Sequence, residues 1–113
     1  MADVSMLQML QGYLQVTTQR QQLIVSNMAN VDTPGYRTQD VNFQDAMQHV
    51  MQGSGVSRSA ALEVENLPER LDGNNVNIDR ESLLLSQTQL QYQLGVQMVK
   101  SEFHKLYTAI KEG

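Results

Sequence analysis

Two apolar stripes at helical spacing, one near each end of the chain, constrain the fold more than any other feature. Leu7, Leu10, Leu14, Thr17, Gln21, Ile24 and Met28 follow one another by three and four residues, with Met6, Tyr13, Val16 and Leu23 on an adjoining face. Ser5 followed by Gln8 has the spacing of a capping box, so the stripe predicts a helix over 5–29. At ~1.5 Å per residue it is about 38 Å long, more than most helices of small domains. The second stripe runs through Leu85, Tyr92, Val96, Val99, Phe103, Leu106 and Ile110 at heptad-like spacing, and Leu83, Leu90, Leu94 and Met98 are read as widening it. With Asp79 as the expected N-cap and Glu81 in the first turn, this stripe predicts a helix over 80–111. Gly95 inside it costs about 1 kcal/mol relative to Ala unless a neighbour uses the missing side chain, and close approach of another helix is one such use.

The two stripes predict an all-α fold: two long antiparallel terminal helices forming a coiled-coil-like hairpin, with a short middle region at one end. Residues 1–113 then read as a single unit, with 30–79 as loop and linker. Within that linker Phe43, Ala46, Met47, Val50 and Met51 keep helical spacing behind Asn42, a capping residue, so a short third helix is expected. Residues 53–61 are small and polar and are expected to be mobile. Beyond them, "LEVENLPERLDGNNVNID" has the alternation and turn chemistry of short extended pieces, with a tight turn at Asp72-Gly73.

Composition narrows the function. Fifteen Gln and seven Met against two Pro, two Phe and no Trp suit long, adaptable helix faces better than a ring-anchored compact core. The net charge of -4 arises from scattered acidic and basic residues, leaving no basic stripe to track phosphates, so no nucleic-acid partner is expected. The absence of Cys excludes disulfides, thiolate zinc sites and a Cys nucleophile. The opening "MADVSMLQMLQGYL" lacks the basic start and unbroken apolar run of a cleaved signal, and no segment approaches the ~20 apolar residues of a membrane span. The chain is expected either to stay inside or to leave by a route that reads no such signal.

Reactive constellations are sparse. Asp45 and His49 share a helix face at i,i+4, but no second ligand pair accompanies them, and a solvated face accounts for both. Asp72, Asp79 and Glu81 lack the twelve-residue calcium-loop pattern, and His104 has no nucleophile motif to serve. No enzyme, cofactor, metal or small-molecule substrate is expected.

The loop after the first stripe is more specific. Asn30 can end a helix in the left-handed region, Thr33 before Pro34 is pushed out of helical conformation, and Pro34-Gly35 suits the centre of a type II turn. Tyr36 supplies a ring with a polar tip, fit to pin the loop to a helix. The stretch "SNMANVDTPGY", with Ala29-Asn30-Val31-Asp32-Thr33-Pro34-Gly35-Tyr36 at its centre, resembles the motif closing the N-terminal helix of the flagellar axial proteins. The segment "LDGNNVNIDRE", with Asp72, Gly73, Asn74 and Asp79, is similar to the stretch before the C-terminal helix in proximal members of the bacterial flagellar basal-body rod protein family. With the two long helices, the resemblance covers nearly the whole chain, although the middle region is short enough to leave little or no independent outer domain.

The resemblance implies a structural subunit of the proximal rod, exported by the flagellar type III pathway without a cleaved signal peptide and polymerised in the periplasm as part of the drive shaft. It also implies contacts with itself and other rod proteins, with the adaptor FliE and the membrane-ring protein at the rod base, and with the flagellar export apparatus. The stripes supply the expected assembly interface: Leu7, Leu10, Leu14, Ile24, Met28, Leu90, Leu94, Val96, Val99, Phe103, Leu106 and Ile110. Their width, and the polar Thr17 and Gln21 as register markers, fit helices that complete their burial against other subunits. The competing expectation is a cytoplasmic coiled-coil adaptor or helical-bundle interaction protein, whose stripes are a monomer's own core.

Overall fold

The computed structural model describes residues 5–53 and 61–112. Of the 53–61 stretch expected to be mobile, residues 54–60 lie outside the described residues. The first helix, α1, spans Met6–Ala29 and opens as the capping box requires. Ser5 Oγ accepts the Gln8 N–H at 3.1 Å, and Ser5 N–H donates to Gln8 Oε1 at 3.2 Å. The helix does not end in the left-handed region. Asn30 sits at φ -104°, ψ 18°, where its backbone N–H reaches Ser26 O at 3.1 Å and Asn27 O at 3.2 Å, and its side-chain amide adds a bond to Ser26 O at 2.8 Å. Tyr36 N–H then donates to Thr33 O at 3.2 Å across Pro34-Gly35, with Gly35 at φ +74°. This is the expected type II turn.

Strand β1, Gln39–Asp40, pairs antiparallel with β2, Leu62–Glu63, in the register Gln39 to Glu63 and Asp40 to Leu62. Helix α2, Phe43–Met51, is capped by Asn42, whose side chain accepts the Asp45 N–H at 3.0 Å. It does not stay at the loop end of the hairpin. Val16, Ala46 and Val50 form one buried cluster with Phe43 and Met47 against it, so α2 lies back along the middle of α1. Gly12 permits this: a Cβ there would meet Val50 Cγ1 at 2.4 Å. Beside it the rings of Tyr13 and Phe43 meet edge to face at 5.7 Å.

The long helix α3 spans Ile78–Glu112, starting earlier than the spacing suggested. Asp79 is not its cap. Asn77 fills that role, its Oδ1 accepting the Arg80 N–H at 3.1 Å and its carbonyl the Glu81 N–H at 3.0 Å, which leaves Asp79 in the first turn with Glu81. Helices α1 and α3 run antiparallel, since Asn27 meets Glu81 at one end and Leu7 approaches Val99 and Phe103 at the other. Gly95 is buried midway, where a Cβ would stand 2.6 Å from Leu14 Cδ2. The close approach read from the sequence is therefore real, and α1 is the neighbour that uses it. The result is elongated, with extents of 66 × 29 × 17 Å, and among the described residues no helix is long and apolar enough to cross a membrane.

Candidate functional site

The two loop segments distant in sequence fold onto each other. Gly35 N–H donates to Asp72 O at 2.8 Å, and Asn75 N–H to Tyr36 O at 3.3 Å. The buried Asn74 amide donates to Asn30 O at 2.9 Å and to Thr33 O at 2.8 Å. Each is a second bond, because Asn30 O already accepts the Thr33 N–H at 3.0 Å and Thr33 O the Tyr36 N–H, so the Asn74 amide clamps the two successive turns that follow α1. Asp72 Oδ1 accepts the Asn74 N–H at 3.0 Å, and Gly73, at φ +84°, closes the turn onto Arg70 O at 2.9 Å. Arg70 reaches Val31 O. Arg37 ties the same turn from outside, donating to Gly73 O at 3.0 Å and pairing with Glu63 at 2.8 Å and Glu69 at 2.5 Å.

Below this layer lies a polar spine that sequence reasoning did not assemble. Asn27, fully buried, uses all of its hydrogen-bonding capacity. Its amide donates to Glu81 Oε1 at 2.5 Å and Gln39 O at 2.8 Å, while its oxygen accepts the Gln39 N–H at 3.1 Å and the Tyr36 hydroxyl at 3.0 Å. Tyr36 thus pins the loop to the last turns of α1, as its ring and polar tip suggested. Glu81, also buried, takes Arg80 Nη1 at 3.0 Å, and Arg80 Nη2 continues to Asp40 Oδ2 at 3.2 Å. Asp40 in turn receives Arg20 through two parallel bonds, each 3.0 Å. Burial pushes the Glu81 carboxyl above the usual carboxylate range, against the opposing pull of the Asn27 bond and the Arg80 charge and with Asp40 adding to the rise. A signal was present in the sequence: the two quoted segments begin beside Asn27 and end at Glu81, and those residues touch.

The stripe residues separate into three groups. Leu10 and Ile24 are buried, at 2% and 1% exposure. Leu7, Leu14, Met28, Val96 and Val99 are half-buried. Leu90, Leu94, Phe103, Leu106 and Ile110 are exposed. Leu7, Leu14, Tyr92, Val99 and Phe103 line an open apolar groove of about 580 Å³ between α1 and α3. Leu83, Leu90, Leu94 and Met98 do not widen the hairpin seam. Two residues turn a helix by about 200°; Glu81 and Thr88 are buried and Leu83 and Leu90, two residues on from each, are 71% and 68% exposed. The helix carries two apolar faces, and only one meets α1. Thr17, a proposed register marker, is buried with its hydroxyl bonded to Tyr13 O within its own helix at 2.8 Å.

Among the described residues no group of three or more His, Cys, Asp or Glu could hold a metal ion, and His49 Nδ1 lies 2.9 Å from Asp45 O of its own helix turn. The arrangement can hold chain against chain.

A mostly helical hairpin, stapled at one end by a buried polar joint and apolar on faces it does not cover, is an architecture suited to packing against other chains. No family model matches this chain. It does have homologues among curated proteins, and these are flagellar basal body rod proteins. The chain is 28% identical over 125 residues to FlgB of Escherichia coli strain K12, spanning 91% of both chains. It is 29% identical over 108 residues to FlgB of Bacillus subtilis strain 168, covering 83% of this chain and 84% of that one, and 29% identical over 114 residues to FlgB of Aeromonas hydrophila, covering 87% and 86%.

Proposed function

We propose that this chain is a structural subunit of the bacterial flagellar rod, at its proximal end, polymerising through its terminal helices into part of the drive shaft and catalysing nothing. The observation that carries the reading is the exposed apolar length of α3 on a chain alignable nearly end to end with proteins named FlgB. A monomer of this size rarely leaves so many large apolar side chains in water unless another surface covers them. The assembly residues are the exposed and half-buried members of the stripes, from Leu7, Leu14 and Met28 on α1 to Leu90, Leu94, Val96, Val99, Phe103, Leu106 and Ile110 on α3. Leu10 and Ile24 act from within, as packing that shapes α1.

The resemblance supports a periplasmic rod location. It also supports, as partners, further copies, the other rod proteins, FliE and the membrane-ring protein at the rod base, and the export apparatus that delivers the chain. The test is deletion of the gene in its own host, followed by electron microscopy of isolated basal bodies and by complementation. Loss of the rod and of motility, restored by the wild-type gene, is expected. Intact rods without this chain would refute the reading and leave the adaptor alternative.

A further inference from the structure

We propose that the Asp72-Gly73 peptide is a latent isoaspartate site, open to cyclisation while the chain is unfolded and shut when the joint closes. The inference concerns the joint and stands whether or not the chain is a rod subunit. Asp72 is the one Asp or Asn in the chain that is followed by Gly. That pairing matters because the amide nitrogen of the following residue attacks the side-chain carboxyl, and a side chain on that residue hinders the approach; glycine has none. The new bond joins Gly73 N to Asp72 Cγ. The amide hydrogen and the carboxyl hydroxyl leave together as water, and a five-membered succinimide remains. A water molecule then opens the ring at either carbonyl. Opening at the former side-chain carbonyl returns Asp72. Opening at the former backbone carbonyl leaves Gly73 attached through Cγ, with one extra carbon in the main chain and a free α-carboxylate beside it.

The folded joint holds every atom that this reaction must move. Asp72 O accepts the Gly35 N–H at 2.8 Å, and Gly73 N–H donates to Arg70 O at 2.9 Å. In the succinimide the nitrogen carries no hydrogen, so closing the ring costs the Arg70 bond outright, and the oxygen that Gly35 holds must lie in the plane of the ring. The carboxylate is engaged as well: its Oδ1 accepts the Asn74 N–H at 3.0 Å, and Arg70 Nε lies 3.8 Å away. Behind these bonds stands the buried Asn74 amide on Asn30 O and Thr33 O, so the peptide is freed only when the second loop parts from the first. Accessibility is not what protects it, since the Asp72 side chain is 39% exposed. An isomerised chain cannot rebuild the joint: the extra carbon falls inside the turn from Arg70 to Gly73, and the bonds to Gly35 and Arg70 lose their register with Asn74.

Trypsin cuts after Arg70 and Arg80, so residues 71–80 are released as one peptide that contains the site. Full-length protein is aged in parallel in buffer and in urea, both near neutral pH. Isoaspartate at position 72 is counted in that peptide by electron-transfer fragmentation, which tells it from deamidation of the neighbouring asparagines. Formation in urea is expected to outpace formation in buffer by about tenfold or more, the suppression that a closed segment gives to a reaction needing it open. Asn74→Ala, judged folded by an unchanged circular-dichroism spectrum, is expected to isomerise in buffer several-fold faster than wild type. In aged wild-type protein refolded from urea, the isomerised fraction is expected to unfold at a lower urea concentration than the unaltered fraction. Absence of isomer at position 72 in urea would overturn the site. Equal rates in buffer and urea, or an unchanged rate in folded Asn74→Ala, would overturn protection by the joint, and equal urea midpoints of the two refolded fractions would overturn the damage assigned to the extra carbon.

Discussion

Asn27→Ala tests whether the buried joint, more than the long helix seam, holds the isolated chain together. The substitution removes two donors and two acceptors at once. Gln39 and Tyr36 retain access to water, so their three lost bonds cost about 0.5–1 kcal/mol each. Glu81 is different. Its carboxylate is fully buried and keeps only Arg80 as a charged donor, and losing a hydrogen bond to a charged group costs about 1.5–3 kcal/mol. Together these give roughly 3–6 kcal/mol, a large part of the ~5–15 kcal/mol that holds most domains folded. At about 1–3 kcal/mol per molar for urea, the midpoint should fall by more than ~1 M with little change in slope. Ser26→Ala is the control: its hydroxyl is exposed and lies 3.4 Å from the Tyr36 hydroxyl, and surface changes of this kind move stability by less than ~0.5 kcal/mol. If Asn27→Ala unfolds within that same margin of wild type, the joint is incidental and the reasoning fails.

The raised Glu81 pKa fixes a sign for pH dependence. A carboxyl whose folded pKa lies above its unfolded value contributes most when protonated, so its contribution is fully present below the usual value of 4.5 and is lost as pH rises through the folded pKa. In paired urea titrations Glu81→Gln should therefore gain on wild type from mildly acidic to neutral pH; a wild type that gains on the variant over that range would show that the Arg80 attraction outweighs burial. Gly35→Val puts a β-branched residue at φ +74°, at about 1–3 kcal/mol of strain, and should reduce rod formation scored by swimming and by electron microscopy; unimpaired rods would remove the role given to the turn. Gly12→Ala should displace α2, since its Cβ would lie 2.4 Å from Val50 Cγ1, costing ~1–3 kcal/mol. Val50→Ala in the same chain should recover part of that loss, and strict additivity in the double variant would argue against the contact.

Legibility in the sequence followed the range of the interactions involved. The capping box at Ser5, the Asn42 cap and the Pro34-Gly35 turn each rest on residues within four positions of one another, and all three appear as read. The α3 cap is ambiguous in the sequence because Asn77 and Asp79 are both good capping residues, and only the position of the backbone chooses Asn77. The polar spine escaped because Asn27 and Glu81 are 54 residues apart, and neither residue type alone announces burial. Lying on the two quoted segments was the only hint. The second face of α3 is legible in the spacing: Leu83 and Leu85, two residues apart, cannot share a face of a helix, so the set that includes Leu83 needs a surface other than the one on which Leu85 packs.

This division of labour explains how one short chain can hold a defined shape and still depend on neighbours. The joint gathers α1, the turn, β1, the second loop and the start of α3 through buried, directional bonds, each of which fails if its partner shifts by an ångström. It sets the angle at which α3 leaves. Past Phe103, by contrast, α3 runs beyond the start of α1, and Leu106, Tyr107 and Ile110 are exposed. Helical hydrogen bonds alone are marginal in water without tertiary cover. Order should therefore decay along α3 with distance from Glu81, so that the joint specifies the geometry of a subunit whose far end is completed only by what it packs against. A helix so arranged gains most from partners where its own chain gives it least: along the face that begins at Leu83 beside the joint, and on every side past Phe103.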